Sequence, residues 1–372
     1  MSSKAAHQIE TSQLLAYGYV MGPRAVASRI ERDLIREGVH IIDHSKLSLQ
    51  FPSLGDTGAI EQLKVCLSLL KKKSQGAPIW LHPGISVWGE RPELLALCQQ
   101  LEIEMIGPPI KPMTLFSNKL NLMSEAETLG IPQLVMSFDP VQSLREVENL
   151  ICPKDQTKQA LPVVLKAVHG GGRAGGIQVI HKVEQLKKIL PVWSEQLRKG
   201  FGEALFFVEH YLQGARQIVV PFARFATGEI EFYPLVDASL QSRNRKNIEF
   251  CPAVGVDQNS EKEIHKWSEK LLDHCGFVGV GTLEFLADGS RVYFTSGSSR
   301  LNTGFALWEK VAGVSAVQLQ LATLFDSYRE SSVMRNPQKK YHQSLGLKIY
   351  AEDSFLQLPQ PGVIKEVSDE TS

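Results

Sequence analysis

A small α/β unit followed by a larger α+β unit is the fold class this sequence predicts, and three observations predict it. Residues 1–110 alternate short apolar strands with amphipathic helices, the pattern of an open, mostly parallel sheet with helices on its faces. Beyond residue 132 the composition changes to strands and short helices, with later pairs of strands joined by tight turns and helices to one side. At 372 residues the chain is also long for one core, so two or three packed subdomains are expected.

Taken in order, residues 14–20 (LLAYGYV) read as a buried strand, and AVASRIERDLIREG as an amphipathic helix closed by Gly38. Residues 39–42 supply a second strand, which makes the opening βαβ. A helical period follows over 60–72, a strand at 78–81, a helix at 92–101 and a strand at 102–106. Ligands of such sheets sit beyond the strand carboxyl ends, where His82-Pro83-Gly84 and Gly107-Pro108-Pro109 would lie. Residues 111–129 form a helix-rich linker. After it come a glycine-rich segment, a helix over 182–190 and a strand over 204–212. Antiparallel pairs are then expected at 217–227 with 229–236, and at 281–285 with 291–294. A polar stretch after Leu324 leads to a tail with one strand, too little for a core of its own, which must dock on the preceding unit or on another chain.

Composition narrows the function classes. With 40 basic and 40 acidic residues the formal charge is zero, which gives no whole-chain reason to expect nucleic acid or an acidic membrane as partner. The five cysteines are scattered, without Cys-x-x-Cys or a zinc-spaced His pair, and read as reduced thiols. No secretory h-region and no run of about 18 apolar residues is present, so the expectation is a cytoplasmic protein outside the membrane.

The segment from Pro162 to Ile180 carries the most chemistry. A β-branched run ends in Lys166, and Gly170, Gly171 and Gly172 follow. A lysine at a strand end before consecutive glycines suits a loop whose bare N–H groups close over polyphosphate. The spacing is neither a Walker P-loop nor Gly-x-Gly-x-x-Gly. An ordinary hairpin turn remains the alternative for this segment alone.

Eight short strings nonetheless agree in order: His82-Pro83-Gly84 with Glu90 eight residues on, Ile106-Gly107-Pro108, Asn118-Lys119, Gly130-Ile131-Pro132, Lys166 with its glycine loop, Val208-Glu209-His210-Tyr211-Leu212, Gly281-Thr282-Leu283-Glu284-Phe285-Leu286 and Tyr350-Ala351-Glu352-Asp353. Together the chain resembles biotin carboxylase, an ATP-grasp ligase. The resemblance implies a Rossmann-like pre-ATP-grasp domain over 1–110, an ATP-grasp domain over 111–325 with a lid at about 137–212, and a shortened C-terminal segment over 326–372. It implies ATP between lid and central sheet, with Lys119, Lys166 and the glycines on the phosphates. The main chain of Glu209 and Leu212 would then read adenine beside Tyr211, and Leu286 would lie under the ring. Glu284 would hold Mg²⁺, at a single or weak site. Gln241 and Lys246 would hold a bicarbonate-sized anion, unless they belong to an exposed basic loop, and Arg300 would stabilise a biotin enolate. Biotin, bicarbonate, a partner carboxylase subunit and a second copy of the chain are the partners it implies.

The chain also departs from that family's pattern. Asn244 stands where a histidine is usual, and TSGSSRLNTGF puts Ser296, Ser298, Arg300 and Gly304 at the four chemical positions, removing two metal-side groups and the carboxylate base. The family also runs on past the residues that end here, into a stretch supplying a further active-site arginine. The expectation is an ATP-binding relative with weak or silent chemistry. An active ligase, carboxylating biotin through carboxyphosphate or joining another acyl phosphate, is the alternative; for a ligase with a different substrate, Asp237, Glu249 and Glu309 are the carboxylates that would supply base and metal ligands.

Overall fold

The architecture is taken from a computed structural model, which describes residues 16–22, 24–43, 49–152, 160–169, 176–242, 245–325 and 341–348. It begins with the strands β1 (Tyr17–Val20) and β2 (His40–Ile41) on either side of helix α1 (Arg24–Arg36). Helix α2 (Ala59–Lys73), strand β3 (Ile79–His82), helix α3 (Pro92–Gln100) and strand β4 (Glu104–Met105) complete this unit. The sheet order is β2-β1-β3-β4 and every pairing is parallel, as the alternation predicted. All four residues of β3 are buried, as expected of a strand covered on both faces.

Two helices follow where the sequence suggests one helix-rich stretch: α4 (Ile110–Ser117) and α5 (Lys119–Thr128). Asn118 breaks them apart. Its side chain accepts the N–H of Asn121 and caps α5, which starts the helix on Lys119. Next come α6 (Leu144–Ile151), with a Ser143–Glu146 capping box, and the strands β5 (Val163–Ala167) and β6 (Ile177–Ile180). Helix α7 (Val183–Phe201) and strand β7 (Phe206–His210) close this three-stranded unit, whose order is β6-β5-β7. Helix α7 runs straight through Pro191, although a proline there removes a helical hydrogen bond. Leu186, Leu190, Trp193, Leu197 and Phe201 form one buried stripe along it, and that burial outweighs the local cost.

The central sheet holds β8 (Arg216–Arg224), β9 (Ile230–Phe232), β10 (Val236–Ser242), β11 (Arg245–Cys251), β12 (Gly279–Asp288) and β13 (Arg291–Ser298), with helix α8 (Gln258–Cys275) inserted before β12. Helices α9 (Phe305–Ala312) and α10 (Ala316–Leu324) and strand β14 (Ser344–Leu347) follow. The order is β13-β12-β8-β10-β11-β14, with β9 against β8. Both predicted antiparallel pairs are present, and the tail strand docks on β11 of the same chain. The parallel unit is joined to this sheet through a shared core in which α1 residues Ile30 and Leu34 meet Val317 and Leu321 of α10. His82 stitches the same junction. Its Nδ1 accepts the N–H of Gly84, so Nε2 carries the proton and donates to Gln320 at 3.0 Å. Burial pushes its pKa down to about 4, which keeps the ring neutral. Gly84 has no substitute here, because a Cβ would sit 2.1 Å from the carbonyl oxygen of Met21. Among the described residues no helix is long and apolar enough to cross a membrane.

Candidate functional site

Strand β5 alternates, burying Val163, Leu165 and Ala167 and turning Lys166 to the other face. Lys166 lies opposite Phe207 of β7, so Glu209 is its diagonal neighbour on that face. The two form an ion pair of 2.6 Å. Lys166 also donates to Thr295 Oγ1, across 129 residues of sequence. Thr295 reaches it because of a bulge: Glu284 faces Ser296 and Phe285 faces Phe294, which leaves Thr295 as the extra residue on β13.

Lys119 joins this group through the backbone. Its N–H donates to the carbonyl of Val168, tying the start of α5 to the exit of β5. Lys119 keeps part of its side chain at the surface, yet its ammonium is enclosed among charges. Burial, the largest influence, lowers its pKa to about 8; Glu90 and Glu284 pull it up, while Lys166 and Arg300 push it down. Four charged groups from four other stretches thus act on Lys119 here. Arg300 Nε lies 3.5 Å from Glu90, but neither atom has a hydrogen-bond partner. A buried guanidinium N–H without an acceptor is a ready contact for an anion.

Glu284 lies on the less buried face of β12. Lys246 of β11 is ion-paired with its Oε1, and Gln217 Nε2 donates to its Oε2 at 2.5 Å. Gln241 donates in turn to Gln217 Oε1, and to the carbonyl of Ala238 at 3.0 Å. Burial alone would raise the Glu284 carboxyl. The Lys246 charge and the hydrogen bonds from Lys246, Gln217 and Ser296 outweigh it and hold the group below its ordinary range. At Glu209, by contrast, burial prevails over Lys166 and the carboxyl is raised.

Of the residues singled out in the sequence, Lys119, Lys166, Arg300, Lys246, Gln241 and Glu284 therefore belong to one connected cluster. Gln241, itself exposed, and Lys246 lie on β10 and β11 and bond into the Gln217–Glu284 network, while residues 243–244 between them lie outside the described residues. Glu209, expected to act through its main chain, also contributes its carboxylate. Leu286 is opposite Gln217 on the β12–β8 ladder, two residues along from Glu284. Tyr211 lies edge-on to His181 at 6.0 Å, and Leu212 follows β7, its carbonyl accepting the N–H of Ala215. Gly170, Gly171 and Gly172 lie outside the described residues, as do Asn244 and the 350–353 string.

Glu90 was visible in the sequence only as part of a string, while Gln217 and Thr295 as partners and the Glu249–Lys348 ion pair were not anticipated. Only the alternation of strand positions hinted at them. Gly304, where a carboxylate was expected, has the Glu249 oxygens 3.2 and 3.3 Å from where its Cβ would stand. Asp237 is held by Arg216 at 2.6 Å, and Glu309 is held by Arg29 at 2.6 Å in the junction with α1.

The donor set does not fit a resident Mg²⁺. Octahedral Mg²⁺ is held by carboxylates with phosphate oxygens and water. Here one carboxylate faces the cluster from β12, its oxygens already accept from Lys246, Gln217 and Ser296, and an ammonium stands against it. Among the described residues no group of three His, Cys, Asp or Glu side chains could hold a metal ion. The four cations do fit a polyphosphate.

Comparison with known proteins agrees with this architecture. Residues 133–324 match the family described as carbamoyl-phosphate synthase L chain, ATP binding domain. A biotin carboxylase of Halalkalibacterium halodurans is 26% identical over 299 residues, covering 80% of this chain, which spans 64% of that relative's length. The biotin carboxylase–β-γ-ATP complex from Campylobacter jejuni superposes with a TM-score of 0.76 at 22% identity, over 94% of this chain and 79% of the other. The biotin carboxylase domain dimer of Hydrogenobacter thermophilus 2-oxoglutarate carboxylase, in complex with MgADP, ADP and bicarbonate, gives 0.75 at 20% identity, over 92% and 76%. At these identities the solved structures share the fold. With its parallel N-terminal sheet, its small three-stranded unit and its antiparallel central sheet, the chain belongs to the family of the carbamoyl-phosphate synthase L chain ATP-binding domain, as a biotin carboxylase-like ATP-grasp member.

Proposed function

We propose that this protein binds the phosphates of ATP or ADP between the β5–β7 unit and the central sheet, and that its biotin-carboxylating chemistry is weak or silent. The observation that carries the reading is the convergence of Lys119, Lys166, Lys246 and Arg300, with the Nε of Arg300 buried and without an acceptor. Lys119 and Lys166 would meet phosphate oxygens as point charges. The main chain around Glu209 and Leu212 would meet the base, near Tyr211 and Leu286. Ser296, Ser298 and Gly304 support the silent half, because none supplies an anionic oxygen for a metal or a proton acceptor for bicarbonate. The relatives that are biotin carboxylases make biotin and bicarbonate the substrates to assay, and a second copy or a carboxylase subunit the partner to seek.

A thermal-shift measurement tests the nucleotide claim. Saturation a hundredfold above the dissociation constant stabilises the folded state by about 2.7 kcal/mol. Lys166→Ala should abolish most of that shift. No shift with ATP or ADP, with or without Mg²⁺, would refute the reading.

One observation favours a second reading, an active ligase. The Glu249 carboxylate, buried and held by Lys348, lies from β11 beside Gly304 at the start of α9. ADP release that depends on biotin and bicarbonate, lost in Glu249→Gln, would establish that reading over silence.

A further inference from the structure

The misfit between the donor set and Mg²⁺ has a positive counterpart in the same residues. We infer that the site takes an adenine nucleotide without a divalent cation, with the Lys246 ammonium doing the work of charge neutralisation that a metal does elsewhere. This inference rests on the nucleotide reading above and specifies the ligand as metal-free ATP or ADP.

An ionised carboxylate offers about four lone-pair sites, and at Glu284 a metal would have to compete for them with the donors already in place. Here Oε1 is paired with Lys246 and Oε2 accepts from Gln217, whose orientation is fixed by Gln241, while Ser296 donates to the same group. Admitting a dication would require breaking this network and placing two positive charges beside the ammonium, an unfavourable exchange in a partly enclosed site. Ser296 and Ser298 offer neutral hydroxyls, which bind Mg²⁺ poorly compared with carboxylates.

The remaining charges point the same way. Three carboxylates, Glu90, Glu209 and Glu284, face four cations, Lys119, Lys166, Lys246 and Arg300. Metal-free ATP carries more negative charge than its magnesium complex, so it complements a cationic cluster better. An Mg²⁺ ion accompanying the phosphates would instead add to the repulsion already acting on Lys119 from Lys166 and Arg300. The arrangement therefore selects for the uncomplexed phosphates.

Isothermal titration of the full chain with ATP and ADP, in EDTA and in excess Mg²⁺, tests this directly. The expected result is an affinity in EDTA within about threefold of that in Mg²⁺, or tighter. A gain of about tenfold or more on adding Mg²⁺ would overturn the inference and leave the nucleotide reading standing. No binding in either buffer would overturn both. Lys246→Gln frees Glu284, and should weaken metal-free binding by about tenfold or more while making the residual binding respond to Mg²⁺. Ser296→Glu, which adds a carboxylate opposite Glu284, should likewise weaken metal-free binding and make it depend on Mg²⁺. If either folded variant binds metal-free ATP as tightly as the parent protein, Lys246 does not have this role.

Discussion

At the scale of single residues, Lys119 shows how position sets chemistry. It begins a helix because Asn118 caps that helix, and its backbone is anchored to Val168, so its ammonium is delivered to the group containing Lys166 and Arg300. Burial brings its pKa down to about 8. Above that pH the free protein holds Lys119 neutral, and phosphate binding must then draw in a proton. Nucleotide affinity should fall as pH rises from 7 to 9, with net proton uptake at pH 8.5 in titrations run in buffers of differing ionisation enthalpy. Lys119→Met should remove both the uptake and the pH dependence in that window. Lys119 was legible in the sequence only beside Asn118 in a family string. Its field was not, since Glu90, Lys166, Glu284 and Arg300 lie on other elements.

At the scale of elements, α7 is where propensity and packing disagree. Reading Pro191 as a stop ends the helix at residue 190, whereas the buried stripe from Leu186 to Phe201 carries it to residue 201. Local sequence weighs one lost hydrogen bond, but only the packed unit reveals that Trp193 lies against Phe206 with a ring separation of 5.2 Å. Trp193→Ala should cost about 3–5 kcal/mol, the range for emptying a large aromatic site. Protease susceptibility should rise first within β5, β6, β7 and α7, because those elements share that core. Uniform loss of protection across the whole chain would show that this unit does not open by itself.

At the scale of the whole molecule, the junction between the parallel unit and the central sheet depends on a buried carboxylate. Glu309 of α9 accepts from Arg29 of α1 at 2.6 Å and from the N–H of Ala316 at 2.6 Å. Burial, opposed by Arg29 and the Ala316 N–H, aided by Asp33 and opposed again by Lys310, raises its pKa to about 7. A carboxyl raised on folding binds protons more readily in the native state. Its contribution is therefore fully present below the ordinary glutamate range and lost as pH climbs through about 7. Unfolding free energy measured from pH 4.5 to 7.5 should decline through this group, and Glu309→Gln should flatten that part of the profile. An unchanged profile in the variant would assign the decline to other groups.

The sequence by itself determined the alternating order of the opening unit, its parallel sheet and the two hairpin pairs, because periodicity and turn residues act over a few neighbouring positions, but not the helices Leu144–Ile151, Gln258–Cys275, Phe305–Ala312 and Ala316–Leu324. It also supplied the four cations of the site, Lys119 and Lys166 through short strings and Lys246 and Arg300 through the resemblance those strings carry. The tertiary structure alone decided what those cations face. Lys246 meets Glu284 from 38 residues away, Gln217 meets it from 67, and Lys166 reaches Thr295 from 129. Such pairings are set by strand register and by a bulge, which no local pattern encodes, and they place an ammonium beside the carboxylate expected to ligate a metal.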